Sequence, residues 1–220
     1  MKKNVRKNGF LSVGFILLFI VWTALIQCVD VRPLGQQGTD IGFAGFNTLF
    51  HTLTGVHMGL YTLTDWLGLV PIFICMGFAF LGLYQLIKRR SLFKVDADIL
   101  ILGFYYILVI FAYLIFEMIP INYRPVLIDG FLEASYPSST TLLVLSVMPT
   151  LSEQIARRVT DLSVKRIVKV VCIMFSLFMV LGRLVSGVHW FTDIAGAIFL
   201  SAGLFYGYKA CVCLALKPRD

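Results

Sequence analysis

Long apolar runs broken by short polar stretches organise this chain. Five runs stand out, at 10–29, 67–87, 99–119, 167–185 and 190–216. Each approaches the ~20 residues a helix needs to cross the hydrocarbon core of a bilayer. A sixth run, 140–155, is shorter and weaker: it reads "TTLLVLSVMPTLSEQI", with Pro149 inside. After the first run, Phe46, Leu49, Phe50 and Leu53 fall at i, i+3, i+4 and i+7, with Asn47, Thr48, His51 and Thr52 between them. That period predicts a short helix lying in the membrane interface. The pattern as a whole predicts an all-α integral membrane bundle of six transmembrane helices. It shows no internal repeat, aqueous linker or low-complexity tract, so one domain over 1–220 is expected.

Composition supports the bilayer. Hydrophobic residues make up 59% of the 220, and mean hydropathy is +0.87. Soluble domains are nearer ~45–50% apolar. A core of this size cannot bury so much apolar surface, so lipid must cover the rest.

The net charge of +7 raises the question of nucleic acid, and its distribution answers it. Four basic residues precede the first run (Lys2, Lys3, Arg6, Lys7) and four lie in "KRRSLFK" at 88–94. Five lie between 157 and 169, and three in the tail (Lys209, Lys217, Arg219). Clusters on alternate loops are the positive-inside pattern, not a nucleic-acid footprint. Two cytoplasmic clusters at 88–94 and 157–169 need an even number of spans between them, so 140–155 must cross despite its weak hydropathy. A polar span fits a helix surrounded by protein and facing a cavity. Both termini are then cytoplasmic. Arg32, Arg124, Arg183 and all three histidines, His51, His57 and His189, gather on the other side.

Five cysteines, at 28, 75, 172, 211 and 213, sit in or beside apolar runs. An odd count in lipid is not a disulfide framework, and "CVC" has no partner ligands, so no metal is expected. The basic, apolar N-terminus is too long for a signal core and lacks a small-residue cleavage site. It is read as the first span.

The candidate chemistry lies at the extracytoplasmic ends. In "GRLVSGVHWFTD", His189 and Asp193 are four apart at a helix start and share a face. A carboxylate against one imidazole nitrogen makes the other a better nucleophile or base. Arg183 closes the preceding helix and presents a planar fork suited to phosphate oxygens. "NYRP" adds Arg124, and "YPSST" starts the weak span with Ser138 and Ser139 beside unpaired helix amides, an anion cradle. Arg and Asp at helix ends also pair structurally, and "PSST" also reads as an N-cap. Convergence of all of them on one face points to a tetrahedral anion. His51 and His57 read first as interfacial polar residues.

These residues resemble the type 2 phosphatidic acid phosphatases, membrane relatives of the vanadium haloperoxidases. That family's third block is Arg, five residues, His, three residues, Asp, and "RLVSGVHWFTD" matches it throughout. Its second block is Pro-Ser-Gly-His, half matched by "PSST"; its first ends in Arg-Pro, matched by Arg124 and Pro125. The core motifs thus span 117–193. The resemblance implies metal-free, cofactor-free dephosphorylation of a lipid phosphate or pyrophosphate at the outer face of a cell membrane, a bacterial cytoplasmic membrane being the expected one. His189 would form a phosphohistidine, helped by Asp193, while Arg124, Arg183 and amides near Ser138 hold the oxygens. Two positions depart from the pattern. Thr140 stands where the family has the His that protonates the leaving oxygen, and Glu117 stands where it has Lys. Three readings follow. The leaving group needs no proton; Glu117, His51 or His57 supplies it; or hydrolysis is lost and the protein binds lipid phosphate headgroups. Arg32 is a further candidate cation near the first span.

Overall fold

A computed structural model describes residues 2–216, so Lys217 and Arg219 of the basic tail lie outside the described residues. It contains eight α-helices: α1 Lys2–Cys28, α2 Ala44–Thr54, α3 Met58–Leu67, α4 Leu69–Arg89, α5 Ala97–Met118, α6 Ser139–Arg158, α7 Leu162–Val185 and α8 Phe191–Ala215. Among the described residues extended pairing is limited to three isolated bridges. Five segments are long and apolar enough to cross a membrane: α1, α3 and α4 together, α5, α7 and α8. Their outer faces carry exposed Phe10, Leu17, Phe73, Phe80, Phe104, Phe111, Met174 and Leu181. That much exposed apolar surface belongs against lipid.

The weak run at 140–155 is the well-formed helix α6, which holds the centre of the bundle. Val144, Val147 and Thr150 are wholly buried. Its 20 residues reach ~30 Å. Ser146, Thr150, Gln154 and Arg158 recur every four residues along one face. Tyr105 donates to the Ser146 carbonyl at 3.1 Å, and the Tyr106 hydroxyl lies 2.9 Å from Thr150 Oγ1. Gln154 Nε2 donates to Tyr208 at 2.8 Å, and Arg158 binds Asp98 at 2.8 and 3.2 Å. Polar groups meeting protein rather than lipid explain the helix's low hydropathy.

The helix expected in the first loop is α2, with Phe46, Leu49 and Leu53 exposed. The rest of that loop differs from expectation. The second run is expected to begin at 67, but helix begins earlier: α3 occupies 58–67 and joins α4 at Gly68. Its Tyr61, Thr64 and Asp65 share a face that α7 covers through Arg183, so tertiary contact stabilises this helix. Helix α1 lies along α8. A side chain at Gly203 would put Cβ 2.7 Å from Ile16 Cδ1, so glycine permits that approach.

One end of the bundle gathers ionic pairs: Arg89–Asp96 at 2.7 Å, Arg158–Asp98 at 2.8 Å and Lys209–Glu153 at 2.7 Å. The start of α6, the end of α5 and the turn between α7 and α8 lie at the opposite end.

Candidate active site

Five residues, Ser186 to Trp190, separate α7 from α8, and His189 sits among them. Gly187 adopts φ +72, and a Cβ there would collide with the carbonyl of Gly55. The turn is strapped from three sides. His57 N–H donates to Ser186 O at 2.9 Å, and His51 Nε2 lies 3.1 Å from Gly187 O. Trp190 Nε1 donates to Tyr123 O at 2.8 Å.

Asp193, in the first turn of α8, is wholly buried. It accepts from Trp190 N–H at 2.9 Å and from Asn122 Nδ2 at 3.1 Å. His189 Nδ1 is 3.7 Å from Asp193 Oδ2, which is proximity rather than a hydrogen bond. The imidazole is 3% exposed and neither nitrogen has a partner. Burial holds its pKa well below the ordinary value, and the charges of Arg124 and Arg183 push the same way.

A hairpin brings in Arg124. Residues Ile128 and Phe131 bond to each other in both directions, at 3.1 and 2.8 Å, across Asp129 and Gly130, both at positive φ. Asp-Gly suits such a two-residue turn. On the returning strand Glu133 O accepts the Arg124 N–H at 3.0 Å. Arg124 Nε stands 3.0 Å from Glu133 Oε2, off the line of a hydrogen bond, and Nη1 is unpartnered.

Arg183 is 1% exposed. Its Nη2 donates to Thr140 Oγ1 at 2.7 Å and lies 3.4 Å from Asp65 Oδ1, while Nε has no partner. Both guanidiniums lean on the ring of Tyr61, at 5.8 Å for Arg124 and 4.9 Å for Arg183. One aromatic face thus holds two like charges side by side.

A cavity of about 200 Å³ opens here, lined by Glu117, Arg124, Glu133, Ser139, His189 and the aromatic Tyr113 among others. Ser139, Thr140 and Thr141 occupy the first turn of α6, where amides lack intrahelical acceptors, and no side chain caps them. A second, apolar cavity of about 570 Å³ runs between α4, α5 and α6 and shares Tyr113 and Ser139 with the first.

The structure therefore gathers Arg124, Ser139, Glu117 and His189 around the cavity; Asp193 stands behind His189, and Arg183, which does not line the cavity, joins the group through Thr140 and the Tyr61 ring it shares with Arg124. Others stand apart. Ser138 faces inward, giving its amide to Asp193 O at 3.2 Å and its hydroxyl to Thr141 at 3.0 Å. His51 and His57 brace the turn and do not line the cavity. Arg32 pairs with Asp30 at 2.7 Å on an exposed loop. Sequence reasoning missed Tyr61, Asn122 and Glu133; the Asp-Gly turn was the available signal for Glu133.

No curated protein matches the chain. A solved structure with the same fold is "Crystal structure of the first transmembrane PAP2 type phosphatidylglycerolphosphate phosphatase from Bacillus subtilis". It is 16% identical, with TM-score 0.69, over 96% of this chain and 100% of that one. The family model described as "PAP2 superfamily" matches residues 100–215, more than half of the chain and all three motif blocks. On that match, the protein is a multi-pass membrane member of the PAP2 superfamily, the family its motifs resemble.

Proposed function

We propose that the protein hydrolyses a lipid phosphate or lipid pyrophosphate at the non-cytoplasmic face of a cell membrane, through a phosphohistidine on His189. The observation that carries this reading is the set of unpartnered, buried nitrogens at one end of the bundle: His189 Nδ1 and Nε2, Arg124 Nη1 and Arg183 Nε. Buried polar groups are normally satisfied, and two guanidiniums beside an imidazole suit an oxyanion.

In the proposed chemistry His189 attacks phosphorus in line with the leaving oxygen. A P–N bond forms as the P–O bond to the lipid breaks. Arg124, Arg183 and the free amides at the start of α6 hold the equatorial oxygens as charge spreads over them. Asp193 closes on Nδ1 and stabilises the cationic ring. Water then attacks phosphorus, the P–N bond breaks, and inorganic phosphate leaves. The leaving oxygen departs without a proton where it is itself a phosphate, and takes one from a cavity carboxyl where it is an alkoxide. The apolar cavity beside Tyr113 and Ser139 supports a lipid chain lying next to its phosphate.

Both termini and the basic clusters at 88–94 and 157–169 are assigned to the cytoplasm, with α6 as a sixth span; the ionic end of the bundle lies with those clusters. Purified protein in nanodiscs is expected to release phosphate from a polyprenyl pyrophosphate or a phosphatidate-like lipid, with vanadate inhibiting and His189→Ala inactive. No release from either lipid by folded protein contradicts the reading.

The alternative is a headgroup-binding protein without hydrolysis. Thr140 favours it: it stands at the acid's position and already accepts from Arg183 at 2.7 Å. Thr140→His separates the two. Activity appearing from none supports the binder, and a modest change supports a working enzyme.

A further inference from the structure

The phosphate cavity carries two carboxylates, and the chemistry above draws on one of them only as proton donor to an alkoxide leaving group. Glu133 and Glu117 both line it, with Arg124, His189 and Tyr113. Glu133 neutralises one edge of Arg124 only. Its Oε2 lies 3.0 Å from Nε, while Nη1 is buried and free, and the Glu133 side chain remains 40% exposed. The carboxylate therefore stands beside the phosphate position without filling it.

Glu117 is the more telling residue. It lies in the last turn of α5, is exposed, and forms no ion pair among the described residues. A carboxylate there faces the negative end of the helix dipole, a locally unfavourable place. Two carboxylates with an aromatic ring between α5 and the hairpin make an acidic, aromatic rim around a cationic floor. The unpartnered nitrogens of Arg124 and His189 in the same cavity mark it independently as a ligand site.

We infer that Glu117, Glu133 and Tyr113 form a subsite for a cationic group adjacent to the phosphate, so that the preferred substrate is an amino-bearing lipid phosphate. This rests on the phosphatase reading and narrows its substrate class. The floor takes the phosphate and the rim takes the ammonium: carboxylates pair with it, and the Tyr113 ring offers its face to the charge. A headgroup without a cation leaves the two carboxylates facing a phosphate dianion, which repels it.

The test compares two lipids in nanodiscs: a long-chain 2-aminoalkyl phosphate and the same lipid with its amine acetylated. Tail and phosphate are identical, and only the positive charge differs. The wild-type protein is expected to favour the ammonium lipid in kcat/KM by roughly tenfold, the size of one charge-assisted contact. Both lipids have the same alkoxide leaving group, so loss of a proton donor slows them alike; Glu117→Gln and Glu133→Gln are each expected to reduce the ratio toward one, and Glu117→Lys to invert it. Equal turnover by wild type, or a ratio unmoved in both Gln variants, overturns the subsite and leaves the phosphatase reading standing. Turnover of neither lipid, with no phosphate released from a polyprenyl pyrophosphate either, overturns the phosphatase reading instead. The subsite is then judged on the two lipids' dissociation constants, expected to differ by roughly tenfold and overturned by equality.

Discussion

His189 is neutral at neutral pH because its surroundings oppose a positive charge. It is shut off from water, two arginines stand near, and Asp193 remains 3.7 Å from Nδ1. In the proposed chemistry the neutral imidazole is the form that attacks phosphorus. In the unfolded chain the ring titrates near ~6.5; in the fold its value is lower. The protein thus keeps the full benefit of the neutral ring above that ordinary value. It loses stability as pH falls from there toward the lowered folded value, because only the unfolded chain takes up the proton readily. The acid limb of kcat/KM is accordingly expected below about 6.5, measured as phosphate release across a pH series. An acid limb above that value contradicts the burial argument. Asp193→Asn keeps an acceptor for Trp190 N–H but removes the charge that steadies the cationic ring. A loss of the order of 10²–10⁴-fold in kcat is expected, with the protein still folded.

Among the elements, the turn between α7 and α8 and the helix α6 do different work. Gly187→Ala forces a left-handed backbone at a cost of about 1–2 kcal/mol and meets Gly55 O. It is expected to lower the melting temperature and, by moving His189, to cut activity more than tenfold. Tyr106→Phe removes a bond at 2.9 Å to Thr150 inside the bundle. Thr150 Oγ1 keeps its bond to Val147 O at 2.7 Å, so the cost is about 0.6–1.7 kcal/mol, seen in melting temperature. The elements also decide what the sequence made legible. His189, Asp193 and Arg183 could be found because they lie within eleven residues of one chain segment, whose spacing fixes their relation. Arg124 could be found from its motif. Tyr61 could not: its place under both guanidiniums depends on how α3 packs against α7, which no local pattern encodes. Asn122 reaches Asp193 across 71 residues of chain, which no local pattern encodes. Helix α6 is long enough for the crossing that charge parity expects, while its burial in protein erases its hydropathy signal.

At the scale of the whole molecule, the site and the ionic pairs occupy opposite ends, and the positive-inside pattern assigns the ionic end to the cytoplasm. Phe131, at the hairpin, is 72% exposed and Phe93, between α4 and α5, is 98% exposed. In a cysteine-free background, Phe131→Cys is expected to react with a membrane-impermeant thiol reagent from outside intact cells. Phe93→Cys is expected to react only after permeabilisation, and the reverse order contradicts the assigned sidedness. The central claim is that two arginines, the start of α6 and His189 enclose one oxyanion. An experimental structure with orthovanadate tests it most directly. The account predicts vanadium bonded to His189 Nε2, with Arg124 and Arg183 on its oxygens; vanadate bound elsewhere, or absent at saturating concentration with His189 unligated, contradicts it.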